Sequence, residues 1–490
     1  MLSLSNDAFS DDVMLSTVLC FALALVGTGD SVEEILERKA LRGASISVAV
    51  MDAQTGERIF SRDIDAPRTP ASNQKVLTTA AAISELGPDY LFTTRLLGNG
   101  QVSKQGVLSG DLILRGGGDP CLRADALQGQ EIEDPAQLLA ELLKSRGLTR
   151  IDGALVLDDE FLDRQWVHPD WEQTDLDFPY AAPVSALSIH GNCMPISLDG
   201  RGSGSEPAGK LATSAPGYSL RNEVKWASGG NTFVVGAMRP DDGGVIRLRG
   251  RMSHGVESRA LRVPVRDGAL LFGRCLVSEL RRQGITVRGG IQREGGAARG
   301  LGADSELVRL ETPLSLAVIL ANKESDNSIS DHLAKVVGAE VLGDGSFAGG
   351  ARAVKDFLRD VVDVTTVGFA MSDGSGLARS NRVTARQMVD TLVTMNQAAP
   401  GVRDLFIRSL PVAGLDGSLR DRLTQPPYLG SVRAKSGYIQ GVSALSGYAS
   451  TSSGRLLAFS ILINDVPKGV SNRLMKAVQD DICRDLVDRF

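Results

Sequence analysis

Three short groups of residues in this 490-residue chain have the side-chain types and spacing for serine acyl transfer without a histidine. In chain order they are Ser72-Asn73-Gln74-Lys75, Ser325-Asp326-Asn327 and Lys435-Ser436-Gly437. Residues three apart share a helix face, so Lys75 reaches the hydroxyl of Ser72, and the positive helix N-terminus favours a developing alkoxide. Lysine is a base only when neutral, a form promoted by burial and by a second nearby cation, Lys435. On this reasoning Lys75 is neutral in the free site and Lys435 stays cationic. Ser325 can relay a proton to a leaving amine, and the Asn327 amide can hold a peptide backbone. Lys435 and the Ser436 hydroxyl suit a carboxylate. The backbone N–H groups of Ser72 and Tyr438 are the expected oxyanion hole, where losing one donor costs about a hundred- to a thousandfold in rate. Each group alone has a plainer reading: a helix cap, a polar turn, a solvated strand lysine. Together and in order they point to a nucleophile, its base and their substrate contacts.

The elements that must position them follow from residue patterning. Ser45 to Met51 alternate into an apolar β-branched run, a turn falls at Thr55-Gly56, and Arg58 to Ser61 return, which predicts a hairpin. Asn73 to Leu86 is helix-compatible, which puts Ser72 where a loop enters a helix. Between Phe92 and Glu311 short apolar runs alternate with glycines, including Gly116-Gly117-Gly118 and Asp242-Gly243-Gly244, the texture of short strands and tight turns. Helical periodicity returns after Thr312-Pro313 through Leu320, Ile329 to Val337, Ala351 to Val361 and Ala385 to Met395, with Thr384 and Gln387 at capping-box spacing. Two strand-like runs follow, Ser443 to Ser450 and Leu456 to Ile463. A closing helix places Leu474, Val478, Ile482 and Leu486 on one face.

Length favours two to four domains. A net charge of −6 with dispersed Lys and Arg argues against a nucleic-acid partner. His168, His190, His254 and His332 stand singly and lack metal-ligand spacing, so neither a metal nor a cofactor is expected. Val13 to Val26 is too short to span a bilayer and suits the apolar region of a signal peptide, although Asp7, Asp11 and Asp12 precede it without Lys or Arg. Cys20 lies in that run behind Leu19, a poor lipoprotein site. Cys121, Cys193, Cys275 and Cys483 fit two disulfides in an oxidising compartment or four buried thiols.

The motifs and their flanks resemble the low-molecular-mass class C penicillin-binding proteins, the D-alanyl-D-alanine carboxypeptidase/endopeptidase family. The similarity runs from about Ser45 to the end through Pro70-Ala71-Ser72, Leu114 to Pro120, Leu157-Asp158-Asp159, Ala182 to Leu187, Asn322-Lys323-Glu324, Asp373 to Leu377 and Leu410 to Gly414. It implies an α/β (α+β) penicilloyl-serine transferase core, a five-stranded antiparallel sheet flanked by helices and split by a β-rich insertion. The expected layout is a targeting segment over 1–29, a catalytic domain from 30–95 and 311–490, and an inserted region over 96–310, read as two subdomains. The implied catalytic residues are Ser72, Lys75 and Ser325, with Asn327, Lys435, Ser436 and Tyr438 binding substrate. The implied partners are peptidoglycan stem peptides and β-lactam antibiotics, outside the cytoplasm, with at most peripheral membrane association. One departure is Ser436, where the family usually has threonine. The hydroxyl is kept, but the methyl that helps fix its rotamer is lost.

Other hydrolases fit less well. A class A β-lactamase needs a glutamate between the second and third motifs, and the only one is Glu340 on a predicted helix just behind the second motif. A Ser-His-Asp hydrolase asks for a placed histidine or G-x-S-x-G. A penicillin-recognising or wall-binding scaffold has no need of an activated serine.

Overall fold

The computed structural model describes residues 30–123, 134–202, 204–241 and 243–490. Val13 to Val26, Cys20 and Asp242 lie outside the described residues. The N-terminal hairpin forms as patterned, β1 (Ser45–Asp52) with β2 (Arg58–Arg62), and is followed by a 3-10 turn at Ala71–Asn73 and helix α1 (Gln74–Leu86). The middle of the chain contributes β3 (Leu91–Asn99), β4 (Asp111–Gly116), α2 (Pro135–Ser145), β5 (Leu155–Asp158), α3 (Gly268–Arg282), β6 (Ile291–Arg293) and β7 (Glu306–Pro313). Then come α4 (Leu314–Lys323), α5 (Asn327–Leu342), α6 (Phe347–Asp360), α7 (Ala385–Gln397) and α8 (Pro400–Ser409). The chain closes with β8 (Val432–Ile439), β9 (Val442–Ser450), β10 (Leu456–Asn464) and α9 (Asn472–Arg489).

Strands from both ends of the sequence build one sheet, in the order β8-β9-β10-β1-β2 and antiparallel throughout. Its β1, β9 and β10 are almost continuously buried because helices cover both faces. On one side α1 packs with α4, α5 and α7; on the other α9 closes the core. Helix α1 is buried on all sides from Gln74 to Ile83, which explains its run of Ala, Thr and Leu.

The middle segment makes a second five-stranded sheet, β6-β5-β4-β3-β7, and three smaller sheets. Strands β3 and β7 pair with each other, so the chain enters and leaves this middle segment side by side. The texture of strands and turns expected here omits two helices. Helices α2 and α3 supply Leu139, Leu143, Leu271, Phe272 and Leu276 to this core, and Asp134 and Asp267 cap their first turns.

One face expectation needs correcting. In α9, Val478, Ile482 and Leu486 are buried, but Leu474 is 42% exposed and Met475 takes its place. Steps of four drift about 40° each around a helix of 3.6 residues per turn, so three steps carry Leu474 off the stripe. Cys121, Cys193, Cys275 and Cys483 are buried free thiols. No helix among the described residues is long and apolar enough to cross a membrane.

Candidate active site

Ser72 sits in the 3-10 turn feeding α1, and the residue before it, Ala71, adopts a left-handed φ of 47°. Such a conformation in a non-glycine residue costs about 1 to 3 kcal/mol and persists only where the surroundings enforce it. Here they do. Asn73 Nδ2 donates to the carbonyl of Lys435 at 2.9 Å, stitching the Ser72 turn to β8. A Cβ at Gly437 would lie 2.8 Å from the Pro70 carbonyl oxygen, so the third motif requires glycine for this close approach.

One helical turn along, the fully buried Lys75 ammonium donates to Ser72 Oγ at 3.1 Å, Asn327 Oδ1 at 2.8 Å and the Ser375 carbonyl at 2.6 Å. Ser325 precedes α5 at a left-handed φ of 57°. Its hydroxyl accepts from Lys435 Nζ at 2.9 Å, and Lys435 also donates to the Ser436 carbonyl. The structure thus gathers these residues in two hydrogen-bonded groups, Ser72 with Lys75 and Asn327, and Ser325 with Lys435. Ser436 and Tyr438 continue along β8, and Tyr438 is exposed beside Ser72. Both ends of the Asn327 amide are engaged in the free site, since its Nδ2 donates to the Tyr180 carbonyl at 3.1 Å.

Both lysines are held below their ordinary value in the free site. Burial brings Lys75 from 10.5 down to about 8, and Asp331, Asp373 and Asp326 pull the other way. Lys435 is driven well below its ordinary value by burial and by the charge of Lys75, with no carboxylate opposing. Both are fully buried, so burial does not separate them; neighbouring carboxylates do.

Four contributors had no role assigned from sequence. Asp331 lies four residues after Asn327 on α5, a spacing that signals a shared face, and its Oδ1 accepts from the Ser375 N–H at 2.8 Å. Burial and the nearby Asp373 push the Asp331 carboxyl well above its usual range. Asp373 belongs to one of the motif-like segments, and its carboxylate accepts from the Gly376 and Ala378 N–H groups, Asn381 and the Trp171 indole. It holds the loop that supplies the Ser375 carbonyl. Ser418 accepts from Ser436 Oγ at 2.8 Å and so orients the hydroxyl that lacks threonine's methyl. Arg123, from the middle segment, pairs with Asp326 at 2.8 Å. No local pattern marks Ser418 or Arg123.

In front of Ser72 opens a cleft of about 520 Å³, lined among others by Tyr180, Asn327, Arg379, Tyr438 and Gln440. A buried helix with Ser72 at its start against a five-stranded antiparallel sheet, with a second serine and lysine facing it, fits the penicilloyl-serine transferase fold.

The chain belongs to the D-Ala-D-Ala carboxypeptidase 3 (S13) family, which matches residues 29–484, and it is a serine-type peptidase of that class. It is 35% identical over 468 residues to the D-alanyl-D-alanine carboxypeptidase of Actinomadura sp. (strain R39), covering 92% of this chain and 83% of that protein. It is 27% identical over 445 residues to D-alanyl-D-alanine carboxypeptidase DacB of Haemophilus influenzae, covering 89% and 88%. The crystal structure of penicillin binding protein 4 (dacB) from Haemophilus influenzae superposes with a TM-score of 0.78 at 25% identity, over 92% of this chain and 98% of that one. A second structure of that protein, with a TM-score of 0.72, holds a β-lactam.

Proposed function

We propose that this chain is an exported peptidoglycan peptidase that removes the terminal D-alanine of stem peptides and opens peptide cross-links through an acyl-enzyme on Ser72. The contact that carries this reading is Lys75 Nζ at 3.1 Å from Ser72 Oγ, with its proton affinity lowered to about 8. A general base works best with a pKa near the operating pH. The substrate carboxylate arrives beside Lys435 and Ser436 and supplies the counter-charge that Lys435 lacks. Lys435 then becomes cationic, and its repulsion favours loss of the Lys75 proton.

Neutral Lys75 accepts the Ser72 proton as Oγ bonds to the carbonyl carbon of the penultimate D-alanine. The resulting oxyanion accepts from the backbone N–H groups of Ser72 and Tyr438. Collapse breaks the C–N bond, and the leaving amine takes a proton relayed through Ser325. Water attacks the ester, releases the shortened peptide and restores Ser72. A β-lactam follows the same first step, and its ring opening leaves the acyl group on Ser72. The middle segment, residues 96–310, is read as an inserted unit on a catalytic domain formed by 30–95 and 311–490.

A class A β-lactamase reading loses further ground. Glu340 lies in the last turn of α5, at the opposite end of the helix from Asn327, where it accepts the Tyr90 hydroxyl at 2.8 Å. It has no path to the acyl-enzyme.

The deciding experiment is mass spectrometry of D-alanine release and cross-link cleavage on purified peptidoglycan fragments, with Ser72→Ala as control. Both products are expected from the wild type and neither from the variant. Activity surviving in Ser72→Ala would overturn the assignment. Fractionation that found the chain wholly in the cytoplasm with its N-terminal segment retained would overturn the export reading.

A further inference from the structure

The second five-stranded sheet carries an arrangement that the peptidase chemistry does not use. Arg115 on β4 stands directly opposite Arg95 on β3, which in turn stands opposite Arg309 on β7. Directly opposed residues project from the same sheet face, and like charges so placed destabilise the pair. Arg309 resolves its own charge, forking onto both oxygens of Glu306 at 3.0 Å and reaching Glu311 at 3.2 Å. Arg95 is left with only a distant share of the same Glu306, at 3.7 Å, and its buried Nε has no hydrogen-bond partner. Arg115 has no hydrogen-bond or ion-pair partner among the described residues.

Part of this sheet face is closed: Leu97, Ile113 and Val156 pack under Ala298. The part bearing Arg95 and Arg115 instead opens into a cavity of about 300 Å³, walled by Tyr90, Thr93, Phe161 and Glu340. Glu340, the one carboxylate on that wall among the described residues, already accepts the Tyr90 hydroxyl. Arg95 and Arg115 therefore both line a space large enough for a small polyatomic ion, with the donors of Arg115 unspent among the described residues. Paired guanidinium donors match the geometry of planar or tetrahedral oxyanions.

We propose that this cavity is an oxyanion site in which Arg95 and Arg115 together take a carboxylate or a phosphate group. The bound anion adds a counter-charge at the Arg115 end of the row, where Asp158, opposite Arg115 on β5, spends its oxygens on the Gly296 and Ala298 N–H groups. The site lies at the far end of α5 from Asn327 and is separate from the cleft in front of Ser72.

The test is a line-broadening titration with the two ions themselves, inorganic phosphate by phosphorus NMR and labelled acetate by carbon NMR, at constant chloride. The proteins are wild type, Arg115→Gln and Lys435→Ala, the last lacking the cation of the Ser72 cleft. Thermal melting serves as the fold control, because Arg115 holds no structural partner. At least one ion is expected to bind wild type and Lys435→Ala alike, with affinity falling about ten- to a hundredfold in Arg115→Gln. The ion bound more tightly identifies the group. Equal binding by wild type and Arg115→Gln, loss in Lys435→Ala alone, or no binding of either ion would each overturn the proposal.

Discussion

Arg123 and Asp326, 203 residues apart in sequence, meet at 2.8 Å, so a side chain of the middle segment clamps the residue between Ser325 and Asn327. Asp326 uses its other oxygen to cap α5, accepting from the Ile329 N–H at 3.0 Å. Burial raises the Asp326 carboxyl, but Arg123 and that N–H outweigh it and hold the group below its ordinary value. One carboxylate therefore fixes both the start of α5 and the left-handed backbone of Ser325.

Removing Arg123 should leave that buried charge with only the Ile329 N–H and the more distant Arg262, at a cost of up to about 3 to 5 kcal/mol. Arg123→Ala is expected to lower the melting temperature and slow acylation by penicillin, with Arg123→Lys recovering part of both. Unchanged melting and acylation in Arg123→Ala would show that the clamp is dispensable.

Acylation should rise with pH. The base form of Lys75 is the neutral one, and its proton leaves at about 8, so the rate should climb through that region and level off above it. Lys75→Ala should cut the rate by roughly a hundred- to ten-thousandfold and abolish the inflection. Stopped-flow acylation of both proteins between pH 6 and pH 10 checks this. An inflection that survives in the variant belongs to another group.

Lys435 should act through the ligand's carboxylate. Lys435→Ala is expected to slow acylation by a free-acid ligand more than by its ester, because only the free acid supplies the charge that Lys435 would meet. Equal slowing of the two would remove Lys435 from that role.

A fourth outcome concerns stability in acid. His332 is fully buried between the carbonyls of Ser328 and Ser185, and burial holds it at about 4 against an ordinary 6.5. Between those values the unfolded chain binds the proton and the folded one does not. Stability is therefore intact above about 6.5 and falls as the pH drops toward 4, by about 3 kcal/mol over the whole window. Urea midpoints across that range should show the loss, and His332→Gln should flatten it. An unchanged slope in His332→Gln would assign the acid sensitivity to other groups.

Much of this was legible in the residues themselves. The spacing from Ser72 to Lys75 is a property of one helical turn, so their contact followed from sequence alone. The hairpin at Ser45 to Ser61 and the capping box at Thr384 and Gln387 are local too, and local geometry is repeated wherever such patterns occur. The order of the three motifs and their flanks was enough to indicate the family and its core fold. What the tertiary structure decided depends on groups distant in sequence. Lys75 and Lys435 are both buried lysines, and only the tertiary structure sets Asp326, Asp331 and Asp373 against the burial of one of them and leaves the other without such support. Ser418 behind Ser436, Arg123 against Asp326, and the row of Arg115, Arg95 and Arg309 likewise exist only once separate segments pack. A residue's type and spacing set what chemistry it can do. Its charge state is set by desolvation and by whichever charges the fold brings within a few ångströms, and no local pattern records either.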